Sequence, residues 1–264
     1  MSKNLSSSGP HEHGGRGAGP PRSGILAPMT RTPMAYLDAA TVDASIFDLR
    51  PDYRAVLIAV TGIEPGPGDE HSEALLLEAE RSARETLATR PVEEVPHVAA
   101  WRDAYRAFGA KPQRTRNSLE ALLRRAPEGL PRVNRLTDIY NAISVLHLIP
   151  LGGEDLDRYE GPPRLVRATG EESFDTVASG ERVVEHPDPG EVVWRDSSGV
   201  TCRRWNWRQA RRTQLHDATA TALFILDALD PMIDAELEAT AEDLLTHVRR
   251  LGPTVQSEQR LLRR

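Results

Sequence analysis

Asn134-Arg-Leu-Thr-Asp-Ile-Tyr-Asn-Ala-Ile-Ser-Val-Leu-His-Leu-Ile-Pro-Leu-Gly-Gly-Glu-Asp155 is the stretch whose periodicity decides how the rest of the chain is read. Leu136, Ile139, Ile143 and Leu146 recur at steps of three and four, the spacing of one apolar face of an α-helix and not the alternation of a half-buried strand. Thr137, Asn141 and Ser144 follow the same spacing on a neighbouring stripe, so small polar groups border the packed face and need partners there. Pro150 is expected to stop the helix. Gly152 and Gly153 then read as a hinge, where the backbone turns sharply or approaches a ligand closely. Glu154, Asp155 and Asp157 place three carboxylates within four residues of one another.

Working outward, Thr41 to Leu49 and Tyr53 to Ile63 are rich in Val, Ile, Phe and Tyr and are separated by Arg50-Pro51-Asp52, which reads as two strands. A helix is expected from Asp69 through Leu75, Leu76, Ala79, Ala83 and Leu87, and another from Pro96 through Val98, Trp101, Tyr105 and Phe108, closing at Gly109. Asn117 or Ser118 caps a short helix carrying Leu119, Leu122 and Leu123. Beyond position 155 the period changes. Segments 163–168, 181–185, 191–195 and 200–204 are short and interrupted by Gly, Pro and Asp, as strands are, and Asp196-Ser197-Ser198-Gly199 is a hairpin turn signal. Thr219 to Leu229 is an apolar run suited to a buried strand, and Pro231 introduces an acidic amphipathic helix through Leu237, Ala241, Leu244, Leu245 and Val248. The expected architecture is α+β, with mixed or antiparallel sheets packed with helices in a single compact domain over 35–252. Residues 1–34, rich in Ser, Gly, Pro and His, lack the apolar segment of a signal peptide and read as a disordered leader; 253–264 read as a charged tail.

Composition narrows the chemistry. The 264 residues carry a net charge of −6 and a single cysteine, Cys202, which excludes an internal disulfide framework or a thiolate metal cluster and suits a cytoplasmic protein with a buried thiol. No segment is apolar enough to span a bilayer. There is no phosphate-binding glycine loop, no nucleophile elbow and no histidine pair at metal spacing, so neither cofactor nor metal is expected. His11 and His13 lie in the leader, and His147, one turn after Ser144, reads as a surface histidine. Positive charge is concentrated: 101–135 holds nine Arg or Lys against three acids, and 203–212 holds five Arg and no acid. Arg203-Arg204-Trp205-Asn206-Trp207-Arg208 combines stacking faces and planar donors, which suits an unpaired nucleotide. The same composition also suits a structural network in which a tryptophan is buried and the arginines pair with the carboxylates of 154–157.

Gly109-Ala110-Lys111-Pro112, then Leu136-Thr137-Asp138-Ile139-Tyr140-Asn141-Ala142-Ile143-Ser144, then Pro150-Leu151-Gly152-Gly153-Glu154-Asp155-Leu156-Asp157 together resemble the editing module of the phenylalanyl-tRNA synthetase beta chain. The resemblance is closer still to freestanding bacterial relatives, extending to Gly161, to Leu165-Val166-Arg167-Ala168, to Gly190-Glu191-Val192-Val193 and to Cys202 through Arg208. It covers roughly 36–250. It implies an α+β module that hydrolyses the ester of a mischarged tRNA in trans, with tRNA as partner; a noncatalytic RNA-binding module and a hydrolase of small amino acid esters or amides are the alternatives. The synthetase motif Asp-Val-Thr-Asn-Tyr falls on Asp138-Ile139-Tyr140-Asn141-Ala142, and the histidine of Pro-x-His-Ala-x-Asp falls on Gly152. Where the chain departs from these motifs, the expected substitutes are Asn141 and Ser144 orienting the aminoacyl group and Glu154 or Asp155 contacting its amine or the water. Gly152 and Gly153 would lie against the substrate, and Arg203, Arg204, Trp205, Asn206 and Arg208 would hold the tRNA end.

Overall fold

The structure is a computed structural model that describes residues 32–264; the leader, with His11 and His13, lies outside the described residues except for its last three. Helix α1 (Pro33–Asp38) is followed by β1 (Thr41–Val42) and α2 (Ala44–Leu49). The strand expected over 41–49 is therefore two residues long. Asp43 accepts a hydrogen bond from Ser45 N at 2.9 Å and caps a helix that buries Ile46 and Phe47. A capping side chain at the right position outweighs the strand preference of two residues in so short a segment.

Next come β2 (Arg54–Thr61), α3 (Glu70–Thr89), α4 (Pro96–Ala107), α5 (Ser118–Arg125) and α6 (Arg135–Leu146) in the expected order. Asp69, Asn117 and Asn134 cap α3, α5 and α6 by accepting from the amides of Ser72, Glu120 and Thr137. Helix α6 ends at Leu146, ahead of Pro150, with Leu148 in the left-handed region at φ +53°.

The expected glycine hinge is instead strand β3 (Leu151–Asp155). After it come β4 (Arg164–Arg167), the hairpin β5 (Phe174–Ala178) and β6 (Glu181–Glu185), then β7 (Val192–Arg195), β8 (Val200–Arg203), β9 (Arg208–Gln209), β10 (Ala222–Ala228), α7 (Asp234–Val248) and β11 (Gln256–Leu262). Gly152 and Gly153 pair with Ile225 and Phe224 of β10. Glycine at 153 is explained by space: a Cβ there would sit 2.8 Å from Leu215 Cδ1 and 2.9 Å from the Tyr140 ring. The charged tail supplies β11, an edge strand hydrogen-bonded to β2; half exposed, it carries too few apolar residues to announce itself.

One sheet is antiparallel, in the order β11-β2-β10-β3; a second, β1-β4-β7-β8-β9, is mixed because β1 runs parallel to β4; and β5-β6 forms a two-stranded third. Strands β2 and β10 are central and covered on both faces, which is why they read as unbroken apolar runs. Val56, Ile58, Val60, Phe224 and Leu226 pack with the apolar faces of α3, α6 and α7 in one core cluster. The alternate residues Ala55, Leu57, Ala59, Leu223 and Ile225 join Trp101 of α4, Trp194 of β7 and Trp205 in a second cluster. Trp205 makes edge contacts with Tyr53 and Trp101 at centroid separations of 4.9 and 5.2 Å. Among the described residues no helix is long and apolar enough to cross a membrane, and no group of three or more His, Cys, Asp or Glu is placed to hold a metal ion.

Candidate functional site

Where the second cluster meets α5 and α6, the two larger sheets leave a cavity of about 250 Å³. Four sources build it. Strands β3 and β10 contribute Gly152, Glu154, Ile225 and Asp227; α6 contributes Tyr140 and Asn141; α5 contributes Ser118, Ala121 and Leu122; and β7, β8 and the loop into β9 contribute Trp194, Cys202 and the run from Trp205 to Gln209. The cavity lies just below the range of roughly 300–1,000 Å³ usual for drug-sized ligands, and its apolar surface with a few converging polar groups suits a small ligand. Residues far apart in sequence, Asn141, Gly152 and Arg208, thus share one wall system.

Two buried carboxyls face this space. Glu154 alternates with Gly152 on β3, so both look the same way. Burial lifts its pKa to about 7, against the opposing pull of the Tyr159, Thr201 and Thr213 hydroxyls. Tyr159 Oη donates to Glu154 Oε2 in a short hydrogen bond. Asp227, on the cavity face of β10, is likewise lifted to about 7 by burial; Tyr53 Oη donates to it at 2.6 Å and Asn206 Nδ2 at 3.4 Å. Glu154 is registered opposite Leu223, four residues from Asp227, so the two carboxyls are separated by about 13 Å along the strands. They occupy opposite ends of the cavity and do not form a carboxylate pair.

Asn141 presents its side chain at the cavity from α6, and among the described residues its amide makes no hydrogen bond. Its amide borders the cavity, where a ligand or a water can bond it. Gly152 keeps the β3 backbone close to Gln209, whose Nε2 would be 3.2 Å from a Cβ at 152 and donates to Gly153 O at 2.9 Å.

Other expected site residues lie elsewhere. Ser144 is fully buried and donates to Ile149 O at 2.6 Å, tying α6 to the approach into β3. His147 makes no bond to it and instead meets Asp243 at 2.7 Å. Asp155 points away from the cavity, accepts from Thr219 Oγ1 at 2.9 Å, and lies 3.0 Å from His216 Nε2. Gly153 faces Tyr140 and Leu215. Arg203 is buried in a two-bond pair with Glu191, at 2.8 and 2.7 Å, and a further bond to Glu185 at 2.9 Å. The structural network foreseen for this tract exists, but its acids come from 185–191 and not from 154–157.

Arg204 and Trp205 both have positive φ, +47° and +69°, a conformation that residues with side chains adopt only when their surroundings impose it. Trp205 N donates to Val192 O at 2.7 Å and Trp207 N to Arg203 O at 3.1 Å. This turn buries Trp205 completely, sets Asn206 between Tyr105 Oη and Asp227, and leaves Trp207 and Arg208 at the cavity. Arg208 has no acidic partner among the described residues and donates to Val177 O at 2.8 Å. Asp227 is the site residue that sequence reading missed: a lone carboxylate inside the apolar run 219–229 was its only signal. Gln209 gave none.

Residues 100–243 match the profile of the B3/4 domain, found in the phenylalanyl-tRNA synthetase beta chain, the domain that the sequence motifs resemble. All the cavity-lining residues fall inside that span. No curated protein matches the chain. Among solved structures, the chain is similar to an N-terminal fragment of the phenylalanyl-tRNA synthetase beta subunit from Pyrococcus horikoshii, with 13% identity and a TM-score of 0.42 over 84% of this chain. The chain spans 50% of that fragment.

Proposed function

This chain belongs to the B3/4 domain family, and from that premise we propose that it hydrolyses the ester between an amino acid and the terminal ribose of a mischarged tRNA, acting in trans. The observation that supports this reading best is the cavity itself, small, with an unpartnered amide at Asn141 and a carboxyl at Glu154 whose pKa lies near neutrality. Binding alone discriminates poorly between similar amino acids, so a separate hydrolytic site serves fidelity.

In the proposed reaction the ionised form of Glu154, whose pKa burial lifts to about 7, accepts a proton from a water as that water attacks the ester carbonyl. Asn141 Nδ2 donates to the carbonyl oxygen as negative charge develops on it. The tetrahedral adduct collapses by breaking the bond to the ribose oxygen, which leaves with the proton held by Glu154, and the free amino acid and uncharged tRNA result. Tyr159 holds the Glu154 carboxyl in place throughout. Arg208 meets a phosphate of the tRNA end at the cavity mouth.

Purified protein incubated with a panel of tRNAs carrying noncognate amino acids tests this. Release of amino acid is expected for at least one pair. Asn141→Ala should slow it by roughly a hundredfold or more, the loss typical of one oxyanion donor, with an unchanged unfolding midpoint. A folded protein that binds tRNA without releasing amino acid from any member of the panel would instead be an RNA-binding module.

A further inference from the structure

The two basic blocks sort differently once each cation is matched to its partner. Of the nine in 101–135, Arg102, Arg116 and Arg124 converge on the buried Glu120. Arg132 joins Glu73 and Glu80, Arg106 meets Asp103, and Arg135 meets Asp69. Arg125 donates to Gly129 O. That leaves Lys111 and Arg114, exposed and without an ionic or hydrogen-bonding side-chain partner among the described residues. Both line a second cavity, of about 450 Å³, beside the first.

One residue pair links the two cavities. Arg204 lines the second cavity and Trp207 the first, with the Arg204 guanidinium 4.6 Å from the Trp207 ring centroid. Arg204 Nη1 also donates to the buried Thr115 hydroxyl, which fixes the pair. Phe108, Ala110 and Pro189 add an apolar shelf to the second cavity. Gly109, at φ +90°, turns the chain there, and a Cβ on it would meet nothing within 4 Å. Of the two acids that line the space, Glu191 is already matched by Arg203, and Asp188 is exposed and 3.8 Å from Arg204. Two unmatched cations over a partly apolar shelf are what a nucleotide requires, a charge pair for phosphate and a surface for a base.

We propose that the second cavity binds the nucleotide preceding the aminoacylated terminus of a single-stranded RNA 3′ end, with Lys111 and Arg114 on its phosphate and the Phe108–Pro189 shelf under its base. This rests on the deacylase reading, which puts the terminal ester in the first cavity. Arg208, the remaining arginine of the second block without an acid, lines the first cavity, so each cavity carries unmatched positive charge. A polyanion running through both sites accounts for cations in both cavities, which a free mononucleotide does not. Arg203 takes no part, its donors being held by Glu185 and Glu191.

The test is fluorescence anisotropy on the full chain with an RNA stem-loop bearing a four-nucleotide single-stranded 3′ end, beside the same stem with a blunt end, across a salt series. Wild type should prefer the overhang. Lys111→Ala with Arg114→Ala should weaken overhang binding at least tenfold and flatten the slope of log affinity against log salt by about 0.7, the value for one single-strand phosphate contact. Lys111→Arg with Arg114→Lys should restore most of it. On a mischarged tRNA that the protein deacylates, the double alanine variant should raise KM and leave kcat unchanged. The proposal is overturned if the double alanine variant binds the overhang as wild type does, if overhang and blunt stems bind alike, or if a mononucleotide competes as well as the overhang. Overhang-specific binding lost in the variant, with no deacylation by wild type, would refute the hydrolytic reading and leave the nucleotide site standing.

Discussion

Replacing Glu154 by glutamine separates what its carboxyl does for stability from what it does for chemistry. Burial lifts the pKa of this group from 4.5 to about 7, so the folded state holds a proton that the unfolded chain has already released over that interval. Folding stability therefore falls as pH rises from about 4.5 to about 7 and levels off above it. At 1.36 kcal/mol per unit of pKa, the full difference is roughly 3 kcal/mol. Glutamine keeps an acceptor for Tyr159 Oη and cannot ionise. Glu154→Gln should match wild type near pH 4.5, exceed it by roughly 3 kcal/mol at pH 8, and release amino acid at a small fraction of the wild-type rate. Urea unfolding at half-unit steps from pH 4.5 to 8.5 measures the first effect, and deacylation at the same steps the second, with wild-type kcat/KM rising through an inflection near 7. A stability difference that does not change with pH would refute the assignment of a buried, proton-retaining carboxyl. A variant with full activity would refute its role as base.

Three further outcomes follow. Asp227→Asn should add its own stabilisation above pH 7, because its pKa is also lifted to about 7 by burial; at about 13 Å from Glu154 the two effects should sum in the double variant, as denaturant midpoints will report. Gly153→Ala drives a methyl into Tyr140 and Leu215 and should cost about 1–3 kcal/mol, read by thermal unfolding. Glu120→Ala leaves Arg102, Arg116 and Arg124 without their shared carboxylate and should destabilise by roughly 2–4 kcal/mol, the lower figure applying if water reaches the half-exposed arginines.

What could be read in advance followed from local signals. Helix α6 has a strict apolar period and Asn134 as its cap, α3 has Asp69, and the central strands are unbroken apolar runs. Gly152 and Gly153 read as a hinge because glycine carries no side chain to declare a strand; the reason for Gly153 is a tyrosine ring on a neighbouring helix. Residues 44–49 carry strand-preferring side chains, and only the cap at Asp43 pointed the other way. The partners of Arg203 and Arg204 are acids that a hairpin folds back onto them, which composition cannot show. Within the candidate site, Asn141, Gly152, Glu154, Trp205, Asn206 and Arg208 line the cavity, whereas Ser144 and Asp155, only three and one positions from such residues, face the other way. Spacing along one element was informative, and the facing direction at its end was not.

The amide of Ser118, the first residue of α5, donates to the carbonyl of Asn206 at 3.0 Å. With the Arg204–Thr115 bond, it latches the helix start to the arginine–tryptophan turn, and both ends of it border the cavity. Neither side of the entrance can swing outward alone without breaking it, so widening to admit a bulky ester is coupled across two segments nearly ninety positions apart. Deuterium uptake at this one amide would report how often the entrance gapes.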